Sequence, residues 1–363
     1  MGDSMTHTSN RWLTAGFVAG GCAGLMGMTA VLSAGFAFGE NTALIMGSAF
    51  QPTPVQSYID QVIAGFLDPE HPFDGQPTFP GYTPVGVTTP ETDYGPGLTQ
   101  GVDDLHQALL AHLAEGDNIV VWGYSMSAAV ATQELVNLLS LPPAEQPDPD
   151  TLRFVLLESL NSPNGGFFTR FDSDMAVAPA DGAYHTDIYN IEYSGATDFP
   201  KYPLNFLALA NAMAGYVYLH PALLPGWPTT FDPNAIQDAV KLPTSSDDLN
   251  TDYFLIPTQN LPLLDGIRAF PVFGPAMADL VQPALRVLID LGYDRSDPAD
   301  VLTPVSWSMP GIDWDVVSQN LQLGFEQGWI AAQVDLGMLP DSELPSLYPY
   351  LPDLSGLIGA LDA

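Results

Sequence analysis

The sequence predicts an α/β fold in which a central, mostly parallel sheet is flanked by helices and followed by a helical C-terminal lid or wrap. Three observations carry this. Short apolar runs alternate with amphipathic stretches along the chain, as strands joined by crossover helices do. One junction, Ile119 to Ala131, passes from a buried-type run through a Gly-x-Ser-x-Ser turn into an alanine-rich stretch, which reads as strand, tight turn and helix. With 363 residues, the chain suits one large domain with an appendage once an apolar N-terminal segment is set aside.

That segment runs from Leu13 to Phe38, 26 residues without Asp, Glu, Lys or Arg. As a helix it would extend about 39 Å, more than the roughly 30 Å hydrocarbon layer of a bilayer. Arg11 precedes it, Glu40 follows it, and Ala34 to Ala37 offers the small residues of a cleavage site. Residues 1–39 are therefore expected to be a signal peptide or a transmembrane anchor, with the body exported to the cell envelope or secreted. Cys22 is the single cysteine, so no intramolecular disulfide can form. A lipid-modified cysteine is disfavoured, because Ala19 precedes it and the apolar run continues beyond it.

Thr42–Ser48 is an apolar run ending in a turn and reads as the first central strand. A helix is expected around Ser57–Phe66, then a Pro- and Gly-rich loop from Asp68 to Pro96. The next helix, near Thr99–Glu115, carries Val102, Leu105, Ala108, Leu109 and Leu113 on one face. After the strand–turn–helix junction, the loop Pro142–Asp150 leads to a buried-type strand at Arg153–Glu158, and His185–Tyr193 reads as another, with Ser194–Pro200 as its exit loop. Leu204–Ala214 is helix-like, and Tyr216–Leu219 reads as a β-like run broken at His220. Pro243–Asp252 reads as a seam, followed by apolar helices around Met277–Leu291 and Val316–Trp329 whose apolar residues mostly pack onto the core, with an acyl-pocket lining as the alternative. The expected domains are thus 1–39, a catalytic body at 40–264 and a helical extension at 265–363.

Lys and Arg total 8 against 42 Asp and Glu, a formal charge of -34, so the summed field repels nucleic acid and anionic headgroups. There is no paired His/Cys metal spacing, no phosphate-binding loop and no Gly-x-Gly-x-x-Gly opening a helix. Neither a metal nor another cofactor is expected.

What the sequence does carry is a nucleophile. A turn of this kind lifts the Ser125 hydroxyl above the C-terminal edge of a sheet, with a helix N-terminus beneath it to stabilise an oxyanion. The backbone N–H of Met126 is one expected oxyanion donor, and that of Ser48 or Ala49, in the loop after the first strand, the other, each worth on the order of 3 kcal/mol. Of six histidines, only His185 and His220 follow Ser125, as the order Ser, acid, His requires. His220 ends an apolar run, and Asp198 lies 22 residues upstream in a strand exit loop. The alternative pairs His185 with Asp172 or Asp174, and Asp187 is a second candidate acid. His185 and Asp187 lie at a strand start, the wrong edge of a parallel sheet.

Five segments in order, ALIMGSAFQPTPVQSYID, GDNIVVWGYSMSAAVATQEL, SLNSPNGGFFTRF, IYNIEYSGATDFPKYPLNFLALANAMAGYVYLH and TDYFLIPTQNLPLL, resemble the PE-PPE domain, a serine α/β-hydrolase family of mycobacteria and relatives that includes cutinase-like hydrolase proteins. They cover Ala43–Leu264. The resemblance implies a cutinase-like α/β-hydrolase fold, ester hydrolysis or acyl transfer between envelope glycolipids, an acyl ester or lipid substrate, and a triad of Ser125, Asp198 and His220. The chain departs from the family at Ser194, where an aspartate is common, and at Pro221, where a glycine is usual; the residues ahead of the domain read as a hydrophobic segment in place of a recognisable PE or PPE module.

Overall fold

A computed structural model describes residues 39–69, 76–171, 174–221, 223–224, 235–309 and 311–344. The N-terminal apolar segment and Asp172 lie outside them. No helix among the described residues is long and apolar enough to cross a membrane.

Seven strands form one sheet in the order β2-β1-β3-β4-β5-β7-β6. They are β1 (Asn41–Met46), β2 (Thr83–Val87), β3 (Asn118–Tyr124), β4 (Leu152–Leu157), β5 (Thr186–Ile191), β6 (Val240–Lys241) and β7 (Thr251–Ile256). All neighbours are parallel except β6, which runs antiparallel to β7 at one edge. Strands β1, β3 and β4 are mostly apolar because both faces are covered. Successive residues point to opposite faces. Leu44, Met46, Val121, Phe154 and Leu156 pack beneath α2 (Pro96–Glu115) and α3 (Met126–Leu139) through Leu105, Leu109, Ala131 and Leu135. Ala43, Ile45, Val120, Trp122, Val155 and Leu157 point the other way, against Tyr58 and Ile59 of α1 (Gln56–Val62) and Phe66. Each such large apolar side chain contributes about 1.5–3 kcal/mol by leaving water. The Trp122 indole, fully buried, donates to the Tyr58 hydroxyl at 2.9 Å, so its polar atom is not stranded.

The architecture is the α/β one the sequence predicts, a mostly parallel sheet flanked by helices, with three local differences. The long Pro- and Gly-rich loop contains β2, paired to β1 along its length. The expected seam at Pro243–Asp252 runs straight into β7, which sits between β5 and β6, so the polypeptide returns to the sheet there. And Tyr216–Leu219, expected as a β-like run, is the end of α5 (Phe206–Tyr218). The Asn205 side chain caps this helix by accepting from the N–H groups of Leu207 and Ala208. A helix already started adds residues at little cost, which outweighs the modest strand preference of Tyr-Val-Tyr.

After the four-residue helices α4 (Phe167–Arg170) and α6 (Asp265–Arg268), α7 (Gly274–Asp290) and α8 (Trp314–Asp335) form the C-terminal wrap. Their backbones approach closely at Gly324 and Gly328. A Cβ on Gly328 would lie 2.1 Å from the Leu280 carbonyl oxygen, and one on Gly324 2.7 Å from the Ala284 nitrogen. α7 is tied to the body by the Gln282 side chain, which accepts the Leu261 N–H at 3.0 Å, and by the Asn205 amide, which donates to the Leu288 carbonyl at 2.7 Å.

Candidate active site

The C-terminal edge of the parallel strands is where the backbone is strained. Five non-glycine residues that follow β1 to β5 have positive φ: Phe50 (65°), Glu91 (51°), Ser125 (58°), Glu158 (54°) and Tyr193 (63°). Such conformations cost on the order of 1–3 kcal/mol each and persist only where surrounding contacts impose them. Ser125, Glu158 and Tyr193 come within two residues of their strands' ends.

At β3 the strain turns the chain directly into α3. A Cβ on Gly123 would stand 2.6 Å from the Ser127 carbonyl oxygen and 2.8 Å from the Ala128 Cα, so only glycine permits this sharp a return. Ser127, in place of a second glycine, fits because its hydroxyl accepts the Tyr124 N–H at 2.8 Å and donates to the Tyr124 carbonyl at 3.2 Å. Ser125 is left at the apex with the first turn of α3 beneath it, where N–H groups such as that of Met126 have no intrahelical acceptor.

The Ser125 hydroxyl is 2.8 Å from Nε2 of His220. His220 follows α5 and its N–H donates to the Gly215 carbonyl at 3.0 Å. Its ring is stacked on that of Tyr216, with 5.5 Å between centroids and 9° between planes, and its carbonyl accepts from the buried Tyr124 hydroxyl. Burial and the nearby Glu158 charge both hold the Tyr124 phenol in its protonated, donating form. On the other side of the imidazole, Nδ1 faces the Glu158 carboxylate at 2.8 Å. Glu158 is fully buried immediately after β4. Its Oε1 accepts from the Ile191 N–H at 2.7 Å and from the Thr197 hydroxyl, and its Oε2 accepts from the Ser194 hydroxyl as well as from His220.

Asp198, the acid expected from the sequence, is not brought to His220. Its Oδ2 accepts the Tyr193 N–H at 2.8 Å and is paired with the Arg295 guanidinium. That neutralising arginine comes from the connection between α7 and α8, 97 residues downstream, so nothing local to Asp198 reveals it. Glu158 obeys the same chain order, between Ser125 and His220, and the sign in the sequence is an acidic residue directly behind the apolar run Phe154–Leu157. The alternative histidine is elsewhere: His185 precedes β5 and is bonded at 3.0 Å to Asp187, at the opposite end of that strand from the Glu158 contacts.

A cavity of about 580 Å³ opens over Ser125 and His220, within the range of small-molecule sites. Ser48, Ala49 and Met126 border it beside Ser125, and the rest is mainly apolar: Phe50, Tyr94, Leu160, Phe167, Phe199, Met213 and Leu224 among others. Its described lining lies between Ser48 and Leu224, so α7 and α8 do not line it and wrap the body, as expected for most of their apolar residues.

Two groups among the described residues bring possible metal ligands within 4.8 Å of one another, His112, Glu115 and Asp117, and His185, Asp187 and Asp252. Neither touches this cavity. In both, carboxylates are already engaged: Asp117 accepts from the Glu40 N–H and Thr42 hydroxyl, and Asp252 pairs with Lys241 at 2.7 Å.

The model of the PE-PPE domain family matches residues 76–294. The chain belongs to that family. The PE-PPE protein is 40% identical to an uncharacterized PPE family protein, PPE42, of Mycobacterium tuberculosis, over 85% of this chain and 54% of that one. It is 40% identical to Esterase PE16 of the same species, over 74% of this chain and 51% of the relative. It is also 28% identical to the M. tuberculosis SL1278 acyltransferase Chp1, over 84% of this chain and 74% of that protein. The chain spans about half the length of PPE42 and PE16.

One strained residue of the PE-PPE domain has a measurable consequence. Glu91, buried beside the cavity loops, holds the Phe50 N–H through its carbonyl, and burial pushes its carboxyl up to about 7, partly opposed by the Thr89 hydroxyl. The folded form therefore binds this proton more tightly than the unfolded chain. Its stabilising effect is complete below the ordinary value of 4.5 and is lost as pH rises through about 7. Glu91→Gln should leave Tm little changed relative to wild type at about pH 4 and raise it relative to wild type at about pH 8. Calorimetry across that range checks this; parallel Tm curves for the two proteins would contradict it.

Proposed function

We propose that this PE-PPE protein is an exported serine hydrolase, an esterase or lipase that cleaves acyl esters through an acyl-enzyme on Ser125. The observation that supports it most is the unbroken line Ser125 Oγ, His220 Nε2, His220 Nδ1, Glu158 Oε2, with 2.8 Å at each hydrogen bond, under a largely apolar cavity. In this mechanism His220 Nε2 takes the hydroxyl proton as Oγ bonds to the ester carbonyl carbon, and the carbonyl π pair moves onto oxygen. The buried Glu158 carboxylate orients the imidazole and stabilises the imidazolium. The N–H of Met126 at the start of α3, with that of Ser48 on the facing loop, receives the oxyanion. Collapse breaks the bond to the alcohol oxygen, which takes the proton from His220. Water then gives a proton to His220 as its oxygen attacks the acyl carbon, and the acid departs as Ser125 is reprotonated. The apolar cavity walls hold the acyl chain.

A second reading is favoured by the relative named as an acyltransferase. The same acyl-enzyme would pass its acyl group to a sugar or lipid hydroxyl, with the acceptor's proton following the path of water's. In either case residues 1–39 serve as signal peptide or membrane anchor, and the body works in the cell envelope or beyond it, near amphiphilic substrates.

Ser125→Ala and His220→Ala should each lose about a thousandfold or more in kcat on a short soluble ester, and Glu158→Gln on the order of a hundredfold, whereas His185→Ala should be mild. Labelling by a fluorophosphonate probe should require Ser125. An active Ser125→Ala protein would end the reading, and a folded wild type that neither labels nor turns over ester would favour a non-catalytic envelope binding role. Products with and without a glycolipid acceptor separate hydrolysis from transfer. For location, the full chain should fractionate with membranes or medium, and a chain starting at Glu40 should stay in the cytoplasm. Equal cytoplasmic solubility of both would contradict export.

A further inference from the structure

We propose that Asp198 and Arg295 are positioning residues: they clamp the turn from Tyr193 to Asp198 so that its two hydroxyls hold Glu158 against His220. This rests on Glu158 being the acid of the reading above. It gives the C-terminal wrap a part in the active site even though the wrap does not line the cavity.

The Glu158 carboxylate has no access to water, so its orientation is set by its donors. Two of them, Ser194 Oγ and Thr197 Oγ1, belong to a single tight turn after β5. The turn is closed by the Asp198 N–H donating to the Ser194 carbonyl at 2.8 Å and the Thr197 N–H to the same oxygen at 3.2 Å. Its entrance is Tyr193, an aromatic residue at a φ of 63°, which does not adopt that conformation unaided. The Asp198 carboxylate reaches back across the turn to the Tyr193 N–H and fixes it there.

A bond to one amide does not account for an aspartate at a buried position. Arg295 does. Its guanidinium pairs with Asp198 and is wedged between two rings, 5.2 Å from the Tyr193 centroid and 4.4 Å from that of Tyr293. Glu192 and Asp290 stand 3.8 and 3.9 Å from its other nitrogen, and Arg286 pairs with Glu192 at 3.4 Å while donating to the Thr258 and Gln259 carbonyls. The Arg170 guanidinium also lies within electrostatic reach of Asp198. The carboxylates around Arg295 raise its affinity for its proton despite burial. The guanidinium is thus held from all sides, and Asp198 is held by it.

The test compares variants by kcat, KM and pH profile on a short soluble ester, in the full chain. Asp198→Asn preserves shape and an acceptor for Tyr193 but cancels the pairing with Arg295. It should lower kcat roughly tenfold to a hundredfold with KM within about twofold. The acidic limb of kcat/KM should move to lower pH, because an imidazole that loses part of its carboxylate partner gives up its proton more readily. A merely structural defect would lower the active fraction and leave the limb in place. The titratable groups that face His220 and also bear on the limb are Tyr124, Tyr216 and Glu158, none altered by the variant. If Asp198→Asn does not fold, Thr197→Val carries the test: kcat should fall about tenfold and return in Thr197→Ser, which restores the hydroxyl. Wild-type kcat and limb in Asp198→Asn, or in Thr197→Val where that variant is the one tested, with Glu158→Gln inactive, would overturn the clamp alone. Wild-type activity in Glu158→Gln together with an inactive Asp198→Asn would overturn the reading of Glu158 and the clamp with it.

Discussion

A carboxylate that is fully buried at the end of a central strand is costly unless donors surround it, and Glu158 collects four from separate pieces of chain. The Ile191 N–H comes from the end of β5, the Ser194 and Thr197 hydroxyls from its exit turn, and the His220 imidazole from beyond α5. Meeting the demands of this one group therefore fixes where β5 ends, how the chain leaves it and where α5 delivers its histidine. Ser125 needs no comparable arrangement of its own. The elbow between β3 and α3 sets its height, and His220, already placed by Glu158, arrives at hydrogen-bond distance.

The strained residues obey the same constraint. Positive φ at Ser125, Glu158 and Tyr193 lets three neighbouring strands turn sharply on one edge, so that side chains from each converge instead of continuing outward. Strain of this kind needs over-determined surroundings. Part of that support is remote: the wrap of α7 and α8, held together at Gly324 and Gly328, carries Arg286 and Arg295 against the back of the β5 exit turn. The apolar cavity meets the same loop at Gly195, and neither arginine lines it.

Much of this was legible in the sequence because it is local. An apolar run, a Gly-x-Ser-x-Ser turn and an alanine-rich helix define Ser125 without reference to distant residues, and chain order leaves two histidines, of which His220 meets the serine. The strands at β1, β3 and β4 were nearly as plain, since burial on both faces favours apolar sequence, and β5 was readable although Asp187 and Asn190 interrupt it. The acid was not. Glu158 and Asp198 both follow strands between Ser125 and His220, and which of them faces the imidazole is decided by the β4–β5 register and by an arginine from the far end of the chain. The end of α5 and the return of the chain at β7 were missed for the same reason. Tyr-Val-Tyr is helical because Asn205 starts a helix before it, and β7 is recognisable as a sheet strand only once β5 is beside it.

The most direct test of Glu158 as the partner of His220 is the proton between them. In protein labelled with 15N-histidine, a buried imidazole N–H donating to a carboxylate gives a far-downfield proton resonance, protected from exchange with water. The account predicts this resonance in the wild type, its loss in Glu158→Gln, and its survival, shifted, in Asp198→Asn. Survival in Glu158→Gln with loss in Asp198→Asn would contradict it.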